Sequence, residues 1–171
     1  MTAYDELMSF QRETEALAEV AGRLGWDQET VMPRGAAPQR GEEMAAMESV
    51  LHARRTDPRI ADWLAAIPDA DLDDVGRANL RHIKRDFDRA TRVPADLAAR
   101  LARVTSAAQG IWAEARRADD FKAFVPTLEE VIALKREEGA ALAEGRGIGI
   151  YDAMLEDYEP GTTAADLEAM F

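Results

Sequence analysis

The chain has 171 residues, a mass of 18.8 kDa and a formal net charge of −12, since 33 acidic side chains outnumber 21 lysines and arginines. This acidic balance argues against binding to nucleic acid or to an anionic membrane, because both need basic surfaces. The absence of cysteine excludes disulfides, cysteine-based zinc sites and thiol catalysis. No apolar run approaches the roughly 20 residues that cross a bilayer, and no signal peptide is visible, so we expect a cytoplasmic protein.

The first third of the chain is predicted to form two helices separated by a loop. Apolar residues recur every three or four positions over residues 3–24, which predicts a helix. The segment 25–41 holds two prolines and three glycines and is therefore predicted to be a loop. Met44, Met47 and Leu51 then predict a second helix. Its end carries a basic run, which suits the helix dipole, formed by His52, Arg54 and Arg55.

Aspartates mark the start of the next two helices. Asp57 precedes Pro58, which pairs an N-cap residue with a proline at the first helical position and predicts a short third helix. The fourth is predicted to extend to about Arg92, where Val93 and Pro94 break the chain. The acidic run before it comprises Asp69, Asp71, Asp73 and Asp74. This run resembles the front of a calcium loop but lacks its glycine and its final glutamate, so we interpret it as a solvated helix start.

The remaining helical pattern predicts two long helices. Apolar residues spaced four and three apart over residues 97–115 predict the fifth helix. Pro126 is predicted to open the sixth, and Gly145, Gly147 and Gly149 to end it. No segment alternates with a period of two long enough for a strand. We therefore predict an all-α fold, with about six helices packed as a helical array.

The last residues carry a fresh helix start. Thr163 and Asp166 have the spacing of a capping box, and Leu167, Met170 and Phe171 begin an apolar face. The sequence then stops without a glycine, proline or basic residue that would end a helix. We therefore expect a fragment of a longer protein, with apolar surface exposed around these last three apolar residues.

The histidines offer little for a metal centre. His52 and His82 lie on different predicted helices, and neither has a second histidine four residues away, so H-E-x-x-H is absent. Glu48 and His52 share a helix face and could hold a metal, but a solvated pair is the preferred interpretation. We therefore predict neither a metal site nor a catalytic residue in the sequence.

A cluster of basic residues lies on the fourth predicted helix but is interrupted by Asp86 and Asp88. It could face an acidic partner, although exposed ion pairing is the simpler interpretation. The cluster comprises Arg77, Arg81, Lys84, Arg85, Arg89 and Arg92.

Two predicted loops combine aromatic and acidic residues. The first contains Trp26 and Asp27, and the second contains Tyr151, Asp157 and Glu159 just before a Pro-Gly turn. Such groups form either a hydrogen-bonded junction between helices or the wall of a cleft, and the spacing leaves both interpretations open.

These segments resemble a known family. Residues 24–54 resemble the N-terminal signature of the thermostable carboxypeptidase Taq family of metallocarboxypeptidases, with a Trp-Asp start, a Met-Pro turn and a Leu-His end: LGWDQETVMPRGAAPQRGEEMAAMESVLHAR. Residues 151–163 resemble the family's later Tyr-Glu-Pro-Gly segment: YDAMLEDYEPGTT. Because the two motifs stand in the right order and at the right separation, the resemblance covers essentially the whole chain.

The resemblance implies cytoplasmic, mostly helical and usually homodimeric enzymes that remove residues from peptide C-termini with broad specificity. Such enzymes use zinc, or cobalt in vitro, held by H-E-x-x-H and a downstream glutamate. Those motifs lie beyond the matched region, so no catalytic or metal residue carries over, and no zinc is expected on this chain. The residues carried over have no assigned chemical role or known substrate contact, and lie beside the groove or at helix junctions: Trp26, Asp27, Tyr151, Asp157 and Glu159.

Three hypotheses follow. The first makes residues 1–171 the N-terminal, groove-lining helical region of a zinc carboxypeptidase, inactive alone and prone to form a homodimer or to self-associate. The second makes the chain a complete noncatalytic module that binds peptides or partners. The third, an independent metalloenzyme, needs a site that two histidines hardly allow.

Overall fold

A computed structural model describes residues 2–68 and 72–171. Within these ranges the chain forms eight α-helices and one short 3-10 helix, Arg34–Ala36, and contains no strand. The prediction of an all-α fold is therefore confirmed, with more helices than the sequence predicted. The α-helices are α1 Ala3–Thr30, α2 Ala37–Arg55, α3 Pro58–Ala66, α4 Asp74–Ala90, α5 Ala95–Ala118, α6 Phe121–Ala143, α7 Ile150–Leu155 and α8 Ala164–Met170.

The predicted loop over 25–41 is mostly helical, so this prediction was wrong. Helix α1 continues through Gly25 to Thr30, and α2 already begins at Ala37. A glycine inside a helix costs about 1 kcal/mol relative to alanine. Side chains of the last α1 turns make long-range hydrogen bonds to other helices, which offset that cost. Only residues 31–36 connect the two helices.

The helix starts at α3 and α4 follow the predicted chemistry. The Asp57 side chain accepts a hydrogen bond from the Arg59 backbone at 2.9 Å, with Pro58 as the first residue of α3. The Asp73 carboxylate accepts from the Gly76 backbone at 2.8 Å and caps α4. Asp69 and Asp71, the front of the calcium-like run, lie outside the described residues.

The predicted start of the sixth helix was wrong. Helix α6 begins at Phe121, where the Asp120 side chain accepts from the Ala123 backbone, and Pro126 lies inside the helix. Because Pro126 is the sixth residue of α6, it lies beyond those first amides that have no helical acceptor, and the helix lacks the hydrogen bond that an amide there would donate to the Lys122 carbonyl. Asp119 makes the preceding turn in a left-handed conformation, with φ 54°.

The C-terminal part of the chain contains a helix that the sequence did not predict. Gly145 and Gly147 both have φ 69° and follow the end of α6, as predicted. Helix α7, Ile150–Leu155, then occupies part of the second predicted loop. The predicted capping box at Thr163 is present and opens α8. Met170 is 72% exposed and Phe171 fully exposed, which matches the expected apolar surface at these positions.

Two buried clusters hold the helices together. The first joins α1, α3 and α4 through fully buried Leu7 and Ile60, with Phe10 and Leu80 beside them. The second joins α5 and α6 through Leu97, Leu101 and Leu134. The most extensive contact between two helices is that of α2 with α5, which lie at the centre of the array. Among the described residues, no helix combines the length and hydrophobicity that a membrane crossing needs.

Candidate functional site

The first pair of signature residues lies near the end of α1. Trp26 is 64% exposed and belongs to the helix, not to a loop as predicted. The Asp27 carboxylate accepts a hydrogen bond from Arg40 on α2, with 2.5 Å between Nη2 and Oδ2. Asp27 therefore joins the end of α1 to the start of α2. Whether Trp26 and Asp27 have a functional role stays a prediction.

Arg40 connects several groups at this junction. Its side chain is 9% exposed, and Nε donates to the Glu43 carboxylate at 2.9 Å, while Nη1 donates to the Leu24 carbonyl. The hydrogen bonds to Asp27 and Glu43 raise the pKa of Arg40. A nearly buried cation needs such partners, because an unpaired buried charge is costly. No local pattern in the sequence pointed to Arg40, which stands among polar residues of a predicted loop.

A reciprocal pair of hydrogen bonds extends this junction to α5. The Gln28 side chain donates to the Ser106 carbonyl at 2.7 Å, and the Ser106 hydroxyl donates back to the Gln28 side-chain oxygen at 2.7 Å. The two residues are 78 positions apart in the chain. Pairing at this separation depends on how helices pack, so the local sequence pattern could not reveal it.

The second signature segment is anchored to α4. Arg89 donates to the Ala153 carbonyl at 2.9 Å and to the Asp157 carboxylate at 2.5 Å. The Asp152 carboxylate accepts from the Ala164 backbone at 2.6 Å and thereby joins α7 to α8. Asp157 therefore takes part in a junction between helices, as Asp27 does at the first segment.

The other two signature residues of the second segment, Tyr151 and Glu159, face solvent. Tyr151 is 61% exposed, and Glu159 is also exposed. The first segment is anchored on α2 and α5, whereas the second is anchored on α4 and packs against α6. The candidate residues thus belong to two different junctions, and the described contacts do not gather them into one constellation.

Most side chains of the basic cluster on α4 form ion pairs with acidic residues of this chain. Arg77 binds Asp74, Lys84 binds Asp88, and Arg85 binds Asp86. With Arg89 bound to Asp157, the simpler interpretation of exposed ion pairing accounts for most of the cluster.

A polar cleft lies between α1, α2, α4, α5 and α6. It has a volume of about 530 Å³ and mixes acidic and basic side chains with a few apolar ones. Its charged lining residues are Glu15, Glu48, His52, Arg55, Asp86, Arg89, Lys135 and Glu138. The sequence did not predict this cleft, because its residues come from five helices that meet only in the fold.

Glu48 and His52, for which the sequence favoured a solvated pair over a metal site, both line this cleft. Burial raises the pKa of Glu48, and the nearest cation, Arg55, stands 3.5 Å away. The His52 Nε2 lies 2.6 Å from the Val93 carbonyl oxygen, which fits an N–H donor. Nε2 is therefore occupied by a hydrogen bond that joins α2 to the segment just before α5.

The described residues do not fit a zinc centre. The two histidines lie on different helices. His82 is exposed on α4, and the His52 ring on α2 is hydrogen-bonded to the Val93 carbonyl. Throughout 2–68 and 72–171, no group of three histidine, cysteine, aspartate or glutamate side chains is arranged to hold a metal ion. Three protein ligands are the usual minimum for a catalytic zinc.

Comparison with known proteins identifies the family. A family model described as carboxypeptidase Taq (M32) metallopeptidase matches residues 6–171. The chain belongs to this family. The match confirms the resemblance that the two signature segments suggested.

Curated relatives are considerably longer. Thermostable carboxypeptidase 1 of Thermus thermophilus is 39% identical over 180 residues, which cover 99% of this chain and 35% of that protein. Thermostable carboxypeptidase 1 of Pyrococcus furiosus is 27% identical and is covered to 33% of its length. The chain therefore spans about a third of the length of the curated relatives it matches.

Solved structures show the same proportions. Trypanosoma cruzi metallocarboxypeptidase 1 matches with a TM-score of 0.76 and 32% identity, over 98% of this chain and 34% of that one. The crystal structure of BsuCP matches with a TM-score of 0.91 and 22% identity, over 99% and 34%, and this likeness concerns the fold. The helical array of this chain is thus a fold that M32 carboxypeptidases share.

Proposed function

We propose that residues 1–171 form the N-terminal helical region of a zinc-dependent carboxypeptidase of broad specificity. In this proposal the region lines one side of the peptide groove and does not hydrolyse peptides by itself. The observation that carries it is the coverage: nearly the whole chain matches, yet only about a third of each relative is matched. The working enzyme is then a cytoplasmic peptide hydrolase, formed as a homodimer, that acts on peptide C-termini.

The contacts of the described residues support a structural role for this region, with catalysis assigned to the remaining region. The two arginines that hold the signature segments, Arg40 and Arg89, are bound by carboxylates and backbone carbonyls of neighbouring helices. Such contacts position the helices and occupy both guanidinium groups. Zinc, when bound by the H-E-x-x-H motif of the remaining region, would activate water. This chain would contribute shape and packing.

The polar cleft favours a second candidate function. A volume of about 530 Å³ lies within the range of small-ligand sites. The chain could therefore act as a noncatalytic module that binds peptides in this cleft. Its mixed charges would suit a zwitterionic peptide, with Arg55 or Lys135 facing a carboxylate and Glu48 or Glu138 facing an ammonium group.

The deciding experiment compares the mass of the protein in its own host with the gene sequence beyond the Phe171 codon. A product about three times as long, with H-E-x-x-H in the extension, supports the carboxypeptidase proposal, because the relatives have that proportion. A product of 18.8 kDa followed by a stop codon contradicts it.

A binding experiment separates the two functions. The purified chain is titrated with a labelled tripeptide, with and without zinc, and peptide hydrolysis is assayed in parallel. The carboxypeptidase proposal predicts no hydrolysis and no saturable binding. Saturable binding that Glu48→Gln or Lys135→Met weakens would instead favour the peptide-binding module.

A further inference from the structure

Helix α6 carries an apolar stripe that the described part of the chain leaves open. Phe121, Val125, Leu128 and Ile132 are spaced four, three and four residues apart and so share one helix face. These four residues are called the α6 stripe. Phe121 is 66% exposed and Ile132 41% exposed, while the other two are half-buried. A run of large apolar side chains in water is unusual on a finished surface.

The same face becomes a packing surface further along the helix. Gly139 follows Ile132 by seven residues, or about two turns, and is buried under α7. A Cβ atom at Gly139 would lie 2.5 Å from the Cγ2 of Ile150 and 3.1 Å from the Cγ of Met154. Helix α7 therefore packs closely on the C-terminal end of this face, and the α6 stripe continues that interface without a cover.

A small apolar cavity adjoins the stripe at the α5–α6 turn. Trp112, Phe121 and Phe124 surround it, with buried Ala115 among the lining residues. Its volume is about 190 Å³, below the roughly 300 Å³ at which small-ligand pockets begin. Such a cavity suits one inserted apolar side chain, the usual anchor of a protein–protein contact.

We propose that the α6 stripe and this cavity form the docking face for the remaining two thirds of a carboxypeptidase chain. The inference rests on the proposed function. Its support is the continuity with the α6–α7 interface, together with the two thirds of each matched relative that have no counterpart here. The occupant is an apolar helix of that remaining region, which inserts one large side chain beside Trp112.

The test uses a chimera, in which this chain replaces the matched third of the Thermus thermophilus relative. Ile132→Glu and Phe121→Glu are made both in the chimera and in the chain alone. In the chain alone both side chains are largely exposed, so we expect the midpoint of thermal unfolding to shift by no more than about 2 °C. In the chimera the same charges are buried, and we expect a fall of at least about 5 °C.

Val20→Glu is the matched control, because Val20 is 40% exposed in the middle of α1, away from the α6 stripe. It should leave both midpoints nearly unchanged. Equal shifts in the chain and the chimera, or an equal fall with Val20→Glu, would overturn the proposal. So would light scattering that shows the chain alone as a dimer which Ile132→Glu converts to a monomer, since a second copy would then occupy the face.

The two proposals fail in different ways. If the unsubstituted chimera neither folds nor releases C-terminal residues, the proposed function fails and this inference fails with it. If the chimera is active and the stripe variants leave its unfolding midpoint unchanged, only the docking face is wrong.

Discussion

The N-terminal junction and the C-terminal segment of this chain are held in place by different kinds of contact. The N-terminal junction, formed by Asp27, Gln28, Arg40 and Ser106, joins three long helices through partly buried hydrogen bonds. The C-terminal segment, residues 144–171, contains two short helices: α7 has no side-chain cap, and α8 is capped by Thr163 and Asp166, which are neighbours in the sequence. The first region depends on the whole fold, whereas the second depends on a few anchors.

The contrast explains where apolar surface remains exposed. Isolated helices of six or seven residues are marginal in water, so α7 and α8 need contacts with the longer helices. Helix α7 obtains them from Gly139 and Arg89. Helix α8 is linked to α7 by the Asp152 carboxylate and leaves Met170 and Phe171 in solvent. Stability should therefore decrease from the N-terminal junction towards α8.

The largest effect is expected from Arg40→Met. Methionine retains much of the side-chain volume but cannot bind Asp27, Glu43 or the Leu24 carbonyl. We expect a loss of about 2–3 kcal/mol in the free energy of unfolding, measured by urea denaturation. Arg103→Met is the control, because its ion pair with Glu42 is exposed and should contribute less than about 1 kcal/mol. Equal losses in the free energy of unfolding for Arg40→Met and Arg103→Met would show that Arg40 contributes no more to stability than an exposed ion pair.

The α6–α7 contact should respond to Gly139→Ala. The added Cβ would meet Ile150 at 2.5 Å, so α7 must shift. We expect a net loss of about 1–2 kcal/mol, because overpacking outweighs the helix propensity gained. Gly110→Ala on α5 is the control: nothing lies within 4 Å of its added Cβ, and a gain of up to about 1 kcal/mol is expected. Stabilisation by both substitutions would contradict close packing of α7.

A smaller effect is expected from the pH dependence of the polar cleft. Burial raises the folded-state pKa of Glu48 above its ordinary value of 4.5, so the folded protein binds this proton more tightly than the unfolded chain. Stability that Glu48 contributes is therefore present at low pH and is lost as pH rises through the raised pKa. Glu48→Gln should remove this loss, so its stability advantage over the parent should grow from pH 4 to pH 7. A stability difference between Glu48→Gln and the parent that does not change with pH would contradict a raised pKa of Glu48 in the folded protein.

The smallest global effect is expected from Thr163→Ala. The substitution removes both hydrogen bonds of the Thr163 hydroxyl, including the one that it accepts from the Asp166 backbone in the α8 capping box, and such a cap contributes about 1 kcal/mol. Amide hydrogen exchange in α8 should accelerate about fivefold, while the thermal midpoint of the whole chain stays within about 1 °C. Thr2→Ala removes the same kind of box at the start of α1 and tests whether the long helix tolerates it. A large fall in the midpoint for Thr163→Ala would contradict the local nature of α8.

Local sequence chemistry predicted the helix starts well. Asp57 with Pro58 and the box at Thr163 were confirmed, because a cap needs only residues two or three positions away. Predictions based on helix-breaking residues were less successful. Gly25 and Pro126 both lie inside helices, because the contacts of a long helix can outweigh the poor helix propensity of a single residue.

The candidate site was predictable only in part. The motifs around Trp26 and Tyr151 led to the correct family, but their predicted loop structure was wrong, since both residues are helical. The partners Arg40, Ser106 and Arg89 carry no local signal, because their contacts join residues from 13 to 78 positions apart. The role of Glu159 stays a prediction.

The short α5–α6 turn has a consequence for the order of folding. Only Asp119 and Asp120 separate the two helices, so this hairpin can form early from local contacts. The central contact of α2 with α5 instead requires residues 56–94 to close a long loop first. We therefore expect α5 and α6 to form the kinetic nucleus onto which α2 and then α1 assemble.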